Sequence, residues 1–391
     1  MRLHCRIVLC AALVLALAPS ARAASPDPYE LNAILSLTGT AAESGREQTE
    51  AFHTIESVIN KTGGIAGHPL KFVVADDGSS PQTAVQLIDG LIAKKVPVVL
   101  GSDATAMCSS MMPLVQAAGP VLYCLAPGLN PPPGGYTFAA SVNARDLVTM
   151  VLNYVRARKM TRLALLMVTD ATGQELDRQF SYVLGLPENR NVVAVAHEHF
   201  NANDITVNAQ VARIKALDPQ MLVIWSIGTP FGTALRSVHD VGLQVPIMAS
   251  AGDMTYAQMT QYAPFLTNDT YFPATLAAIP AGMALAGPVR AEQERFFSAL
   301  SERGIHPSFP HNLAWDPGML IVSALRKLGP NATADQIRAY IESTHGRVGI
   351  DGVYDFSGGN QRGIGLNAAR LYKWDLAKKD FVMVARGNGK P

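Results

Sequence analysis

Neither sign of charge predominates in this chain of 391 residues: 32 Lys and Arg face 31 Asp and Glu. Without the basic stripe that nucleic-acid binders carry, nothing points to a polyanionic partner. No run approaches the ~20 apolar residues that span a bilayer. Glycine and proline, at 32 and 25 residues, stay below the fraction typical of disordered or collagen-like chains. Cysteine is scarce, with four residues, and no cluster offers the about four ligands of a structural zinc site. Catalytic signatures are missing too: there is no G-x-S-x-G elbow, no P-loop and no H-E-x-x-H. Gly63, Gly64 and Gly67 follow a helical stretch instead of joining strand to helix, so no dinucleotide fingerprint is present. Asp76 and Asp77 are adjacent on a strand and point to opposite faces, which is poor geometry for an acid pair. His197 and His199, flanking Glu198, lie in an alternating run and read as a solvated strand face, not a metal site. These absences argue for a protein that is not an enzyme and carries neither cofactor nor metal.

What is present begins with an address. Arg2 and Arg6 precede an apolar run from Ile7 to Ala18, followed by Ala21-Arg22-Ala23. A basic start, a short hydrophobic stretch and an A-x-A site predict a secretory signal peptide over residues 1–23 and a periplasmic mature chain. Twelve residues rise only ~18 Å as a helix, too short for a ~30 Å hydrocarbon core. Its removal takes Lys plus Arg from 32 to 29 against 31 acids, a net charge of −2, and removes Cys5 and Cys10. Cys108 and Cys124 remain, and in an oxidising compartment they either pair or stay reactive, with pairing the expectation.

With 48% apolar residues and ~150 residues per domain, the length suggests two or three domains. Short apolar runs alternate with helical periods. Strands are predicted at Leu31–Leu37, Leu70–Ala75, Val96–Leu100 and Val121–Leu125, and a helix at residues 43–61 with Ser44 and Glu47 as a capping box. Ser80-Pro81 reads as an N-cap with an N1 proline. The same beat restarts after residue 144, with strands at Leu163–Val168, Val192–Ala196, Met221–Trp225 and Val245–Ala249 between helices 144–159, 173–185, 205–217 and 231–242. Further helices are predicted at 289–304, 312–329 and 333–343, then an antiparallel tail. The pattern predicts an α/β protein with two doubly wound parallel sheets.

Residues 35–46 (Leu-Ser-Leu-Thr-Gly-Thr-Ala-Ala-Glu-Ser-Gly-Arg), Ile59–Gly67, Asp76–Pro81, Val99–Gly101, Tyr136–Phe138, Ala314–Pro317 and Gly349–Phe356 occur in an order and spacing that resemble the Leu/Ile/Val-binding protein family of periplasmic solute-binding proteins. The resemblance implies two Rossmann-like lobes joined by three hinge crossings, near Thr137–Asn143, Tyr271–Ala278 and Gly349–Tyr354. The expected N-terminal lobe is 24–140 plus 277–350, and the C-terminal lobe 141–276 plus 351–391. It further implies a monomer that closes on a small-molecule ligand and delivers it to an ABC permease of the inner membrane.

By the same resemblance, Thr105, four residues after Gly101, binds a ligand carboxylate at a helix start, where free N–H groups favour an anion. Three other family positions depart from the pattern. Leu129, in the run Ala126-Pro127-Gly128-Leu129, replaces a threonine that holds the α-ammonium; Ala251 stands at the acidic position; Thr172 stands where a tyrosine is usual. An ammonium buried without a partner is disfavoured, so the expected ligand is a small organic acid, aromatic or short-chain. Asp253, two residues past Ala251, would restore the charge in a shifted loop, which keeps an amino acid or amide as the alternative. Met107, Met111, Met112, Met254 and Trp225 are expected near the cleft, suiting a planar apolar body. Arg46 is either a second carboxylate clamp or a solvated helix-start cation. The candidate ligand-binding set is Ser44, Thr105, Ala106, Ala126, Gly128, Leu129, Thr172, Trp225 and Asp253. An exported ligand sensor would use the same cleft.

Overall fold

The computed structural model describes residues 26–267, 269–284 and 286–390; the expected signal peptide lies outside them. The first lobe opens with five parallel strands: β1 (Tyr29–Leu35), β2 (Leu70–Asp76), β3 (Val98–Gly101), β4 (Val121–Cys124) and β5 (Thr137–Ala139), in the spatial order β2-β1-β3-β4-β5. Helices α1 (Ala42–Asn60), α2 (Pro81–Ala93) and α3 (Thr105–Val115) cross between them. The strands are apolar on both faces because both are covered. Leu31, Ala33 and Leu35 share one core with Phe52 and Ile55 of α1, while Ile34 and Val99 face Ile88 and Met111 on the other side.

The second lobe runs through α4 (Ala144–Ala157), β6 (Arg162–Val168), α5 (Ala171–Leu184), β7 (Val193–Phe200), α6 (Asn208–Ala216), β8 (Met221–Trp225), α7 (Thr229–Val241), β9 (Ile247–Met248), α8 (Tyr256–Gln261) and β10 (Thr270–Thr275). The chain then returns to the first lobe for α9 (Pro288–Ser301), α10 (Phe309–Leu328) and α11 (Ala334–Glu342), followed by the hairpin β11 (His345–Gly349) and β12 (Gly352–Asp355). Helix α10 lies along α1, and Arg326 near its end donates to the carbonyl of Gly64, 262 residues earlier. Strands β13 (Ala369–Asp375) and β14 (Asp380–Arg386) finally add antiparallel to β10, giving a seven-stranded sheet β14-β13-β10-β9-β8-β6-β7.

Two parallel-rich lobes are thus present. The chain passes between them after β5, after β10 and before β13. The expected third crossing at Gly349–Tyr354 coincides with the β11–β12 hairpin, which is held to α10 by Asp316 accepting from the Ile350 and Asp351 N–H groups. Residues past the hairpin still belong to the first lobe's edge: Ala139 N–H donates to the Gln361 carbonyl. Arg362, buried, donates to the carbonyls of Pro127, Ala140, Ser141 and Val142, tying the third crossing to the first.

The expected capping box at Ser44 and Glu47 does not form. Helix α1 starts at Ala42, and the N–H of its cap residue Ala41 is satisfied from a distant loop by the Ser79 hydroxyl at 3.0 Å. Ser44 and Glu47 therefore lie inside the helix, both buried, and Glu47 accepts from the Ser308 hydroxyl ahead of α10. Burial pushes the Glu47 carboxyl up to about 7, against the opposing pull of His311 and the Ser308 hydroxyl. Unfolding returns it to its ordinary value near 4.5. Between those values the folded chain holds the extra proton, so Glu47 makes stability fall as pH rises through that window. Glu47→Gln is expected to flatten this fall and to be more stable than the parent at pH 8; urea midpoints at pH 5 and pH 8 check it, and an unchanged pH difference would count against it.

Candidate ligand-binding cleft

Parallel strands direct their carboxyl ends, and the amino ends of the following helices, to one side. Here the two sheets do so toward each other. A cavity of about 190 Å³ lies between them. The first lobe lines it with Thr40, Ala41, Ser79, Ala104, Ala106 and Met107, and the second with Asp170, Thr172, Ala202, Ile227 and Pro230. Apart from Ser79, ahead of α2, and Ala202, just past β7, these residues sit at or near the first turns of α1, α3, α5 and α7, so helix amino ends converge on the cavity from both lobes.

Behind the first-lobe wall, joined to it through Ser79, is a knot of buried serines and aspartates. Asp77 accepts from the Ser36 hydroxyl (2.7 Å), the Ser102 hydroxyl (2.6 Å) and the Ser79 N–H (2.9 Å). Asp103 accepts from the Ser36 N–H at 2.9 Å and the Ser102 hydroxyl at 3.1 Å. Burial, with the neighbouring Asp77 adding to it, pushes the Asp103 carboxyl up to about 6. Asp76 turns the other way, to the N–H groups of Leu37, Thr38 and Gly78 at the surface. The two adjacent acids thus point to opposite sides, one into the buried serine knot and one to the surface, as strand alternation requires.

Helix α3 presents the uncommitted polar groups. Its cap residue Ala104 has no side chain to offer, and the N–H groups of Thr105, Ala106 and Met107 have no protein partner. The Thr105 hydroxyl, nearly buried, makes no protein hydrogen bond either. A side chain at Gly128 would bring its Cβ within 2.4 Å of the Thr105 Oγ1. The bare backbone there is what gives the Thr105 side chain its place. On the opposite wall, Asp170 caps α5 by accepting from the Thr172 and Gly173 N–H groups at 2.8 and 3.3 Å, and burial raises its carboxyl above the ordinary range. No Lys, Arg or His is among the lining residues.

The candidate set divides accordingly. Ala106 and Thr172 line the cavity; Thr105 follows the lining residue Ala104 and precedes Ala106 but is not itself on the wall, and its side chain packs against Gly128. Met107 lines it as well. Ser44 is inside α1 and away from the wall. Ala126 and Leu129 pack instead around Cys108, Cys124 and Ala139. Trp225 is drawn into the core of the second lobe with Met167, Val223 and Met248, because odd-numbered β8 residues face that layer. Met254 and Met111 are core residues, Met112 packs on the disulfide layer, and Arg46 is exposed and paired with Glu43. Asp253 is fully buried: the turn Ala251–Asp253 folds inward, and its Oδ1 accepts from the Gly228 N–H at 2.6 Å ahead of α7. Its Oδ2 has no partner, and burial holds the carboxyl well above the usual range. Sequence reading overlooked Thr40, Ser79 and Asp170. Only Asp170 carried a readable local signal, an N-cap residue two positions before Thr172.

Cys108 and Cys124 are joined, with Cα atoms 5.9 Å apart. The bridge ties the first turn of α3 to the end of β4. For a separation of 16 residues, chain entropy assigns it a contribution of about 3 kcal/mol. Replacing both cysteines by alanine is expected to lower the unfolding free energy by that order in urea titrations. Two free thiols in the unreduced, denatured protein would contradict the bridge.

The lobes touch across the cleft. Thr229 N–H donates to the Thr40 carbonyl at 3.3 Å, and the Asn130 amide donates to Glu175. The structural comparisons match the two-lobed fold. An extracellular ligand-binding receptor of Rhodopseudomonas palustris HaA2 superposes with a TM-score of 0.80 at 20% identity, over 91% of this chain and 99% of that one. A solute-binding protein of an R. palustris ABC transporter, solved with benzoate, gives 0.76 at 16% identity over 92% and 96%. In sequence, Leu/Ile/Val-binding protein homolog 3 of Brucella melitensis is 22% identical over 226 residues, 57% of this chain and 61% of that protein. The chain thus spans about three fifths of the length of the curated relatives it matches. The profile described as periplasmic binding protein covers residues 29–380, both lobes and every crossing between them. Two lobes, three crossings and a cleft fringed by helix amino ends are thus matched along nearly the whole described length, and the chain belongs to the periplasmic binding protein family, on the side of the Leu/Ile/Val-binding proteins.

Proposed function

We propose that this protein is the solute-capturing component of an ABC importer in the periplasm, taking a small carboxylate-bearing compound with an aromatic or short apolar body. The observation that carries the reading is the first turn of α3: a free hydroxyl on Thr105 and three unpartnered N–H groups beside a cavity without a cationic side chain. A helix amino end of this kind binds a carboxylate through its N–H groups and dipole, without a countercharge. The cavity of about 190 Å³ is on the scale of a small metabolite. Ala106, Met107, Ile227 and Pro230 supply apolar wall, and the benzoate-bound R. palustris relative shows that this fold accommodates such an acid in that protein. Binding, not catalysis, suits a wall that pairs no hydroxyl with a histidine. A monomeric chain handing its ligand to a membrane permease completes the reading.

Asp170 favours a second reading. It is the one carboxylate on the wall, placed where an α-ammonium group would find a partner, and the B. melitensis relative is named for branched-chain amino acids. A thermal-shift screen of ligand-stripped protein separates the two. Aromatic and short-chain monocarboxylates are expected to raise the midpoint by several degrees at 100 times their Kd. If leucine, isoleucine or valine alone does so, the acid reading falls. Thr105→Val removes the hydroxyl while keeping the shape, and is expected to weaken the acid about 10- to 100-fold by calorimetry; parental affinity would remove Thr105 from the site.

A further inference from the structure

Away from the cleft, the second lobe assembles three metal-ligating side chains. His197 and His199 lie two residues apart on β7 and therefore share one face of this edge strand. Asp177, on α5, faces both. Its Oδ1 is 2.5 Å from the His197 Nε2 and its Oδ2 is 2.6 Å from the His199 Nε2. The two imidazole rings lie 4.9 Å apart between centroids, tilted by 34°. Glu198, between them, points to the opposite face and is taken by Arg213 of α6 at 2.6 and 2.9 Å. Among the described residues, no Lys or Arg pairs with Asp177.

We propose that Asp177, His197 and His199 form a zinc-type divalent metal site that clips α5 to the edge strand β7. The ligating atoms of the three residues all lie within 4.8 Å of one another. Tetrahedral coordination at about 2.0–2.1 Å places donor atoms about 3.3 Å apart, so an ion enters by opening the two hydrogen bonds by less than about 1 Å. Without an ion, each imidazole makes a single hydrogen bond to the carboxylate. A divalent ion instead uses the lone pairs of both imidazoles and the carboxylate charge together. Two nitrogens and one oxygen make a borderline donor set, suited to Zn²⁺ and, with higher affinity, Cu²⁺. Both histidines are exposed and Asp177 is mostly covered, so the fourth position opens to solvent. The clip joins the sheet edge to the helix whose first turn carries Asp170 and Thr172 to the cleft. The proposal does not depend on the identity of the cleft ligand.

The test is calorimetric titration of ZnCl₂ into the full mature chain without a histidine tag. One equivalent is expected to bind and to raise the thermal midpoint. His197→Gln, His199→Gln and Asp177→Asn should each weaken it at least about tenfold, and the double histidine variant should abolish it. Co²⁺ in place of Zn²⁺ should give visible bands of tetrahedral intensity that vanish in His199→Gln. His53→Gln, in the exposed pair with Glu56 on α1, should leave binding unchanged. These variants lie at the surface, and circular dichroism verifies their fold. Absence of heat and of a cobalt band in the parent, or parental zinc affinity in the double variant, overturns the proposal.

Discussion

A Gly228→Ala variant keeps both lobes folded and binds its ligand about two orders of magnitude more weakly than the parent. Gly228 precedes α7 with φ +78 and ψ −131, a conformation that side chains avoid. More telling is what lies opposite: a Cβ at this position would stand 1.9 Å from the Thr40 carbonyl of the other lobe. The methyl group is thus placed where the lobes meet, and its clash is with a residue of the other lobe, so parting the lobes relieves it. If closure becomes disfavoured by about 3 kcal/mol, the apparent Kd rises about 100-fold, since only the closed fraction binds tightly. Calorimetry with the ligand found by screening measures this, and small-angle scattering should show a more extended molecule without any ligand. An affinity within threefold of the parent, with unchanged scattering, would remove Gly228 from the closure contact.

The second large effect is on stability. Arg362→Met is expected to cost about 3–5 kcal/mol, because the guanidinium is buried and its loss strands several carbonyls without donors. Its Nη1 serves Ala140, Ser141 and Val142, and its Nη2 serves Pro127 at 2.9 Å. Burial pushes its pKa down to about 10, yet the side chain remains charged at neutral pH and its role is geometric. Arg362→Lys should recover only part of the loss, since one ammonium cannot reach carbonyls on both sides of the fork. Urea midpoints for the three proteins decide the matter; a methionine variant within about 1 kcal/mol of the parent would show that water replaces the guanidinium.

Much of the fold was legible because it is local. Parallel strands covered on both faces read as apolar runs, and their helices as one-face periodicity, so both lobes emerged from pattern alone. The strand β9 came out shorter than expected, at Ile247–Met248, and β7 longer, extending to Phe200 through the alternating histidines. The hairpin at 345–355 could not be assigned from sequence, because what fixes it is Asp316 on a distant helix. The site was half legible. Thr105, Ala106, Met107 and Thr172 belong to helix starts after strands, a position that spacing reveals. Trp225 and Leu129 also sit beside strand ends, yet the alternation of β8 and the packing around the disulfide turn them into cores. Asp253 was misplaced because a turn of three residues reversed its direction, and Ser44 because Ser79, 35 residues onward, satisfies the end of α1.

The contact between Arg326 and Gly64 has a kinetic side. The β1–β5 sheet is sealed by α10, which is made some 260 residues after Gly64, so the first lobe cannot complete its core until that later segment exists. Loop closure over such a separation is entropically costly before any packing rewards it, and folding dominated by distant contacts is slow. Until α10 is made, the early segment stays unsealed, and Phe52 and Ile55 of α1 lack the helix that covers them.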